Sequence, residues 1–358
     1  MPTCRSLVAA LLIAVLAVAT LPQLTLAKDR FTLAISIYAG WMPWYYAKDH
    51  GILKTWAERH KIAIDVVEMD YIPSVEAFVA GKVDAAVMTN MEALAMPAKS
   101  GLDSTALIVG DYSNGNDALL VRDIPDVTGL KGAAVYLVEL SVSHYLLARA
   151  LEMHGVKESE LKVVNTSDSD IAPAFIANKS QKAVVTWNPM VMQIEQTPGV
   201  SKIFDSSRIP GEILDLLVVN TKVLNDDPRV AEALVGAWYE VMGLMSQRGP
   251  EADKAMTAMA QRANASLNEY KAQLRTTAMF WTPAAASDYA RSAEIKEKMD
   301  FVRNFCFKHG LLGEDARSVD VVGISYPDGT IQGDSHNVKL RFDTRFVDKA
   351  KPGQPRQN

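Results

Sequence analysis

An unusually aromatic segment, residues 40–46 (GWMPWYY), is the strongest local sign of a binding site in this sequence. It follows a predicted strand, and Pro43 suits the first turn of a helix. Unpaired helix N–H groups and aromatic ring faces meet at such a point. We therefore predict that Trp41 and Trp44 contact a ligand, whereas the two tyrosines that follow them pack into the core.

Polar and aromatic side chains also follow later predicted strands. They are Asn90, Asp111 and Tyr112 in the first half of the chain, and Trp187 and Asn188 further on. Open α/β sheets bind ligands at the carboxyl ends of their strands. We predict that these five residues line the same site, although polar residues at such positions also serve simply as turn formers.

Glu139 and Ser141 precede a predicted helix that Ser141 or Ser143 caps. A free helix N-terminus suits an anion, and a carboxylate placed there opposes one. We predict that Glu139 and Ser141 contact the ligand and that Glu139 favours a neutral or cationic solute. The alternative is that Glu139 only complements the helix dipole at the surface. Glu212 and Asp215 are further acidic candidates.

Several chemistries have no support in the sequence. It contains no HExxH, P-loop, GxSxG or GxGxxG motif, so we predict no catalytic residue, no metal and no cofactor. His144 is expected to be a packing or capping residue, and Cys306, among apolar neighbours, is expected to be inert. The net charge of −5 comes without a basic stripe, which argues against a nucleic-acid partner.

The N-terminus predicts export. Arg5 is followed by an apolar run from Leu7 to Ala19, and residues 25–27 (TLA) offer small side chains at the positions a signal peptidase recognises. We predict cleavage near Ala27 and a monomeric protein of the periplasm. A membrane anchor is the alternative, but the apolar core is short for a span of about 20 residues.

Strands and helices alternate from Phe31 onward, which predicts an α/β fold. The alternation restarts near Asp126, so we predict two lobes with two mostly parallel sheets and a hinged cleft between them. The predicted first lobe is residues 28–118 and 219–350, with a helical C-terminal part. The predicted second lobe is residues 119–218, and residues 351–358 form a disordered tail. Three of the predicted helices are Trp44–Trp56, Leu267–Phe280 and Ala284–His309.

Four segments in order resemble the nitrate-, sulfonate- and taurine-type (NMT1/THI5-like) periplasmic binding proteins of ABC transporters. They are residues 35–56 (ISIYAGWMPWYYAKDHGILKTW), 78–94 (FVAGKVDAAVMTNMEAL), 126–151 (DVTGLKGAAVYLVELSVSHYLLARAL) and 228–240 (PRVAEALVGAWYE). The resemblance spans about residues 31–250. It implies a type II periplasmic binding protein fold, no enzymatic activity, a small-molecule ligand and a membrane permease as partner.

Shorter strings, including NDALLV, TNMEAL and SSRIPGEILDL, are similar to the group associated with urea carboxylase. That similarity implies a urea-like or guanidine-like solute. The alternatives are a binding protein for a sulfonate, taurine or a thiamine-pyrimidine precursor, and an exported sensor subunit. The related pyrimidine-synthase enzymes carry a cysteine-rich motif that this sequence lacks.

Overall fold

The computed structural model describes residues 28–350 and builds them around two β-sheets. Strands and helices alternate along most of this range, which confirms the α/β class. Every helix within residues 28–350 is too short or too polar to span a lipid bilayer. The predicted signal sequence and the predicted disordered tail fall in residues 1–27 and 351–358, outside the described residues.

The first sheet carries nine strands of the described chain and forms what we call the first lobe. Their order is β13-β12-β14-β4-β10-β3-β1-β2, and β11 pairs with β4. They are β1 (Arg30–Ile35), β2 (Ala63–Glu68), β3 (Ala85–Thr89), β4 (Ser104–Ser113), β10 (Leu214–Asn220), β11 (Thr277–Met279), β12 (Gly323–Ser325), β13 (Ile331–Gln332) and β14 (Val338–Phe342).

The second sheet carries five strands of the described chain, in the order β7-β6-β8-β5-β9, and forms the second lobe. They are β5 (Asp117–Arg122), β6 (Ala134–Leu137), β7 (Lys162–Asn165), β8 (Ala183–Trp187) and β9 (Val200–Asp205). The chain therefore leaves the first sheet after Ser113 and returns to it at Leu214. The strand bounds are observed, whereas the lobe limits predicted from the sequence stay a prediction.

Both sheets are mixed rather than mostly parallel. β1, β2 and β3 run parallel, but β10 is antiparallel to both β3 and β4. In the second sheet, β5 is antiparallel to both β8 and β9. The reason lies in the two segments where the chain passes between the lobes. β5 and β10 each enter their sheet from the cleft, so they run antiparallel to neighbouring strands that end at the cleft.

The helices cover the faces of the sheets, and the core strands are apolar on both sides, as expected for strands buried between helices. α9 packs against α1 and α2, and α13 packs against α4 of the first lobe and α5 of the second. The helices are α1 (Met42–Asp49), α2 (Ile52–Arg59), α3 (Tyr71–Val79), α4 (Asn90–Lys99), α5 (Val142–Met153), α6 (Asp168–Ala177), α7 (Met190–Glu195), α8 (Thr221–Asp226), α9 (Arg229–Met245), α10 (Pro250–Arg262), α11 (Leu267–Arg275), α12 (Pro283–Arg291) and α13 (Ala293–Lys308).

Three predicted helices are broken in the structure. The helix predicted over 44–56 divides at Gly51, whose φ of 72° is left-handed. The helix predicted over 284–309 divides at Ser292, whose hydroxyl caps α13 by accepting from the Ile295 amide. The helix predicted over 267–280 stops at Arg275, because the next residues form β11 against β4.

Candidate functional site

Strand register brings three polar residues together at the cleft edge of the first sheet. Asp215, near the start of β10, lies opposite Thr89 at the end of β3 and opposite Asp111 near the end of β4. All three side chains are buried. The edge that faces the second sheet is therefore acidic and shielded from water.

A small cavity lies at this edge, between the two lobes. Its volume is ≈ 10 Å³, close to the smallest space that holds one water molecule. Four of the lining residues are aromatic, two are aspartates, and none is lysine or arginine. The lining residues are Tyr38, Trp41, Tyr71, Thr89, Asp117, Val142, Trp187, Ile213 and Asp215.

The aromatic residues form a continuous row of ring contacts across the cleft. The ring centroids of Tyr38 and Trp41 are 5.0 Å apart, those of Trp41 and Tyr71 5.6 Å, and those of Tyr71 and Trp187 5.7 Å. Trp187 belongs to the second lobe, and the other three belong to the first. The Trp41 indole N–H has no hydrogen-bond partner within the described chain. The row gives the cavity flat, weakly polar walls.

Asp111 lies directly behind this row and is fully buried. The Tyr38 hydroxyl donates to its Oδ1 at 2.9 Å, whereas its Oδ2 has no hydrogen-bond partner within residues 28–350. The close approach depends on Gly40, because a Cβ there would lie 2.5 Å from that Oδ2. Burial raises the pKa of Asp111 to about 7.

Asp117 and Asp215 complete a group of three buried carboxyls. The Ser113 hydroxyl donates to Asp117 at 2.5 Å, and burial raises the pKa of Asp117 to about 7. The pKa of Asp215 is raised well above its ordinary value, chiefly by burial and further by the charges of Asp111 and Asp117. The Oδ2 of Asp215 has no partner in the described chain. Such carboxyls favour a ligand that supplies N–H donors and positive charge.

A fourth buried carboxylate, Glu92 in the first turn of α4, reaches across the cleft. Its Oε1 accepts the Val142 amide at the start of α5, at 2.9 Å. Its Oε2 accepts the Thr89 hydroxyl. The side chain is fully buried, and that burial raises its pKa. Glu92 thus joins the first lobe to a helix N-terminus of the second.

Other hydrogen bonds hold the lobes against each other around the cavity. The Trp187 indole donates to the Ile37 carbonyl at 3.0 Å. The Tyr71 amide donates to Asp168 at 3.0 Å, next to a bond of the same length from Ser169 to Asp70. The structure is therefore a closed arrangement of the two lobes.

Of the residues predicted to bind ligand, Trp41 and Trp187 line the cavity. Asp111 lies behind the wall, in contact with Tyr38. Trp44 lies elsewhere: its ring packs 5.1 Å from that of Trp238 in the core of the first lobe. Tyr112 packs beside Phe280 and Tyr289, also away from the cavity. Both positions are explained by ordinary aromatic burial.

Asn90, Asn188 and Ser141 are buried near the cleft but bind backbone. The Asn90 side chain donates to the Glu212 carbonyl and accepts the Leu214 amide, each at 3.0 Å. The Asn188 side-chain Oδ1 accepts the Met192 amide at 3.1 Å. The Ser141 hydroxyl caps α5 by accepting the Ser143 amide at 3.1 Å. These hydrogen bonds occupy the side-chain donors and acceptors through which the three residues would otherwise contact a ligand.

Glu139 does not face the cavity. Its side chain is exposed, in a surface hollow that it shares with Leu140, Met96 and Leu311. The expectation that this carboxylate sets the charge of the site therefore has to be corrected. The chain turns outward before the helix begins, with Leu140 at a φ of 57°. Glu92 stands at the helix N-terminus instead.

Sequence reasoning missed Tyr38, Tyr71, Asp117 and Glu92. Tyr71 follows the end of β2, so the rule that found Asn90 and Asp111 could also have found it. Asp117 begins a strand that is otherwise apolar except for its last residue, which is a weak signal. Glu92 lies inside a helix, where a single acidic residue gives no signal, and its burial comes from the contact between the lobes.

A second polar cluster joins the lobes outside the cavity and includes His144, Glu158 and His309. Their ring nitrogens and carboxylate oxygens lie within 4.8 Å of one another, close enough for a metal ion. The Leu140 amide, however, donates to His144 Nδ1, so the proton of a neutral His144 sits on Nε2, facing Glu158. That proton blocks metal binding at Nε2, and the arrangement fits hydrogen bonds better than a metal.

Residues 118–252 match a family model described as "NMT1/THI5 like". Over these residues, less than half of the chain, the sequence is similar to that family. The matched residues include the second sheet apart from Asp117, the return strand β10 and the whole of α9. That the protein binds a solute and is not an enzyme stays a prediction. No curated protein matches the sequence.

Solved structures resemble this chain in fold. The alkanesulfonate-binding protein SsuA from Xanthomonas axonopodis pv. citri, bound to MOPS, has a TM-score of 0.65 at 15% identity, covering 80% of this chain and 95% of its own. The aliphatic sulphonate binding protein SsuA from Escherichia coli has a TM-score of 0.65 at 17% identity, covering 81% and 95%. The nitrate-binding protein NrtA from Synechocystis PCC 6803 has a TM-score of 0.55 at 10% identity, covering 90% and 99%.

Identities this low establish the fold and not the ligand. The predicted type II periplasmic binding protein fold is confirmed. Which solute enters the cavity must be argued from the residues of this chain.

Proposed function

We propose that this protein is the solute-binding component of an ABC import system and captures a small, planar nitrogen cation of the guanidinium kind. The observation that carries the proposal is the group of three buried carboxyls, Asp111, Asp117 and Asp215, behind an aromatic wall that contains no basic residue. The similarity to the group associated with urea carboxylase supports the same class of solute.

The chemistry of the cavity favours a cation over a neutral solute. A buried, unpaired carboxylate costs several kcal/mol, and a cation with N–H donors removes much of that cost. A guanidinium is flat, so it also stacks on the faces of Trp41 and Trp187 and gains cation–π attraction. Urea has the same shape without the charge, and we expect it to bind more weakly.

A sulfonate is the competing ligand, because the structural neighbours include sulfonate-binding proteins. The cavity opposes it on charge, since a sulfonate would face aspartates and no cationic side chain among the lining residues. The space is also too small for any solute larger than water while the lobes are in contact. Binding therefore requires the lobes to part and close again around the ligand.

Calorimetry with guanidinium, urea and methanesulfonate tests the proposal. We expect guanidinium to bind most tightly and Asp111→Asn to weaken it by roughly 2–5 kcal/mol, the usual cost of breaking a desolvated charge pair. Tight binding of methanesulfonate together with indifference to guanidinium would show that the cavity serves an anion. A retained heat of guanidinium binding in Asp111→Asn would remove Asp111 from the site.

The setting of the protein is part of the proposal. We propose export by the N-terminal signal, cleavage near Ala27, a monomeric mature protein and delivery of the ligand to a membrane permease. The basis is the apolar run from Leu7 to Ala19 and the small residues before Lys28. N-terminal sequencing of the native protein should start at or near Lys28. Retention of Met1 or Pro2 would contradict cleavage.

A further inference from the structure

The N-terminus of α5 lies at the wall of the cavity, with its first residue, Val142, among the lining residues. Amide groups in the first turn of a helix have no partner within the helix and carry partial positive charge. The Ser141 hydroxyl accepts the Ser143 amide. The Val142 amide is left to be satisfied from outside the helix.

Glu92 satisfies it from the opposite lobe. The Oε1–N distance is 2.9 Å, and the other carboxylate oxygen is held by the Thr89 hydroxyl. The Tyr71 ring, which lies beside the same carboxylate, accepts the Thr89 amide through its hydroxyl at 2.9 Å. Both oxygens of Glu92 are therefore fixed by neighbours that line the cavity.

We propose that Glu92 is a specificity-determining residue that excludes anionic solutes by occupying the amide of α5. The chain places its own carboxylate where an oxyanion would otherwise bind. An incoming anion then meets an amide donor that is already in use. This rests on the proposed function in that it assumes the cavity between the lobes to be the ligand site.

A second observation shows that this cavity is equipped for a ligand. Asp215 lines it, is 3% exposed, and has an Oδ2 without a partner in the described chain. The Oδ2 of Asp215 is thus open to a ligand, whereas both oxygens of Glu92 are engaged. Asp215 attracts a cation, and Glu92 occupies the position where a competing anion would bind.

Replacement of Glu92 by alanine tests the proposal, with methanesulfonate as the probe. The titration is made at pH 5.5, where Asp111 and Asp117 hold their protons because their pKa values lie near 7. We expect Glu92→Ala to gain methanesulfonate affinity by at least tenfold over the wild type, because the Val142 amide and the space beside it become free.

Glu76→Ala is the matched control, since it removes the same charge from an exposed position on the neighbouring helix α3. It should leave methanesulfonate binding at the wild-type level. Equal behaviour of the two variants would overturn the proposal. Glu92→Gln, which keeps an oxygen for the Val142 amide, should also show no gain.

Folding and the proposed function are checked separately. If Glu92→Ala fails to fold, as judged by circular dichroism, Glu92→Ser takes its place with the same expected gain and the same overturning result. If the wild type ignores guanidinium but the variant gains methanesulfonate, the cation assignment fails and the role of Glu92 stands. If the wild type binds guanidinium and neither variant gains methanesulfonate, the role of Glu92 fails alone.

Discussion

The cavity shows how burial gives ordinary residues unusual properties. Asp111, Asp117 and Asp215 come from β4, β5 and β10, and each is buried. The sequence predicted Asp111 from its place near a strand end and flagged Asp215 as a candidate. Asp117 could not be predicted, because its burial depends on the second sheet closing over the first.

The raised pKa values make guanidinium binding depend on pH. Asp111 and Asp117 titrate near pH 7 in the closed structure, so below that pH a cation must displace protons from them. We expect guanidinium affinity to rise from pH 5 to pH 8, by up to roughly tenfold per unit for each proton displaced. Calorimetry in two buffers of different ionisation enthalpy should show proton release near pH 6.

The same groups affect folding in the opposite direction. Their pKa values are higher in the folded protein than the ordinary value of 3.8, so their contribution to stability is complete below about pH 4. It is lost as the pH rises through about 7. The melting temperature of the ligand-free protein should fall over this range, and less so in Asp117→Asn. A flat profile in the wild type would contradict the burial of these carboxyls.

Two isosteric substitutions, each of which removes one carboxylate, separate the cavity from the surface. Asp117→Asn should weaken guanidinium binding by roughly 2–5 kcal/mol, because it removes a desolvated carboxylate. Glu139→Gln should leave the affinity unchanged, because Glu139 is exposed outside the cavity. Equilibrium titration of both variants against the wild type decides the matter. A large loss in Glu139→Gln would restore the role predicted from the sequence.

At the scale of elements, the aromatic segment 40–46 divides between two tasks. Trp41 ends a short 3-10 helix, Ala39–Trp41, whereas Trp44 lies inside α1. The change of helix type lets their rings point to different surroundings, the cavity and Trp238. Sequence reasoning located the segment correctly but had no means of separating the two, because both are large aromatics beside a predicted helix start.

Alanine substitutions should separate these tasks. Trp44→Ala should lower the free energy of unfolding by about 3–5 kcal/mol, the usual cost of emptying a buried aromatic site. Trp41→Ala should chiefly lower guanidinium affinity, because its indole N–H and ring face belong to the cavity. Urea denaturation and calorimetry measure the two effects. Equal losses of affinity in both folded variants would show that Trp44 also reaches the ligand.

Element existence was more predictable than element limits. Alternating apolar residues and glycines predict the strands β1, β2 and β3, whereas the residues of β11 are predicted as the end of a helix. Its helical pattern is local, but its pairing with β4 joins residues far apart in the chain. The site has the same limitation for sequence-based prediction. The ends of strands can be predicted from a sequence, but the part of the other lobe that packs over them cannot.

At the scale of the whole molecule, α5 and α13 form a clasp between the lobes that is separate from the cavity. Glu158 of the second lobe accepts from His144 at 2.9 Å and from His309, at the end of α13, at 3.0 Å. The Phe305 carbonyl contacts the other ring nitrogen of His309 at 3.0 Å. Both nitrogens of His309 therefore face acceptors, which favours the protonated ring.

This clasp should weaken at high pH. The hydrogen bond to Glu158 raises the pKa of His309, so its contribution is complete below its ordinary pKa of 6.5 and is lost as the pH rises through the raised value. Lys308, Arg149 and Glu152 also face this region. Small-angle scattering of the ligand-free protein should show a larger radius of gyration at pH 9 than at pH 6.

His309→Gln supplies the control for that measurement. It removes the titrating ring, so the radius of gyration should no longer change between the two pH values. A persistent change would assign the effect to the cavity carboxyls. Guanidinium titrations in the same variant separate the two pH effects, since the cavity favours binding at high pH and the clasp favours closure at low pH.

The position of the tryptophans makes the protein its own optical reporter. Trp41 and Trp187 line the cavity from opposite lobes, and the indole of Trp187 donates to the Ile37 carbonyl across the cleft. Separation of the lobes breaks that hydrogen bond and exposes both indole rings to solvent, whereas Trp44 and Trp238 stay packed against each other in the core. Opening should therefore shift the emission of two of the six tryptophans to longer wavelength. Capture and release of a colourless solute can then be followed in real time without any attached dye.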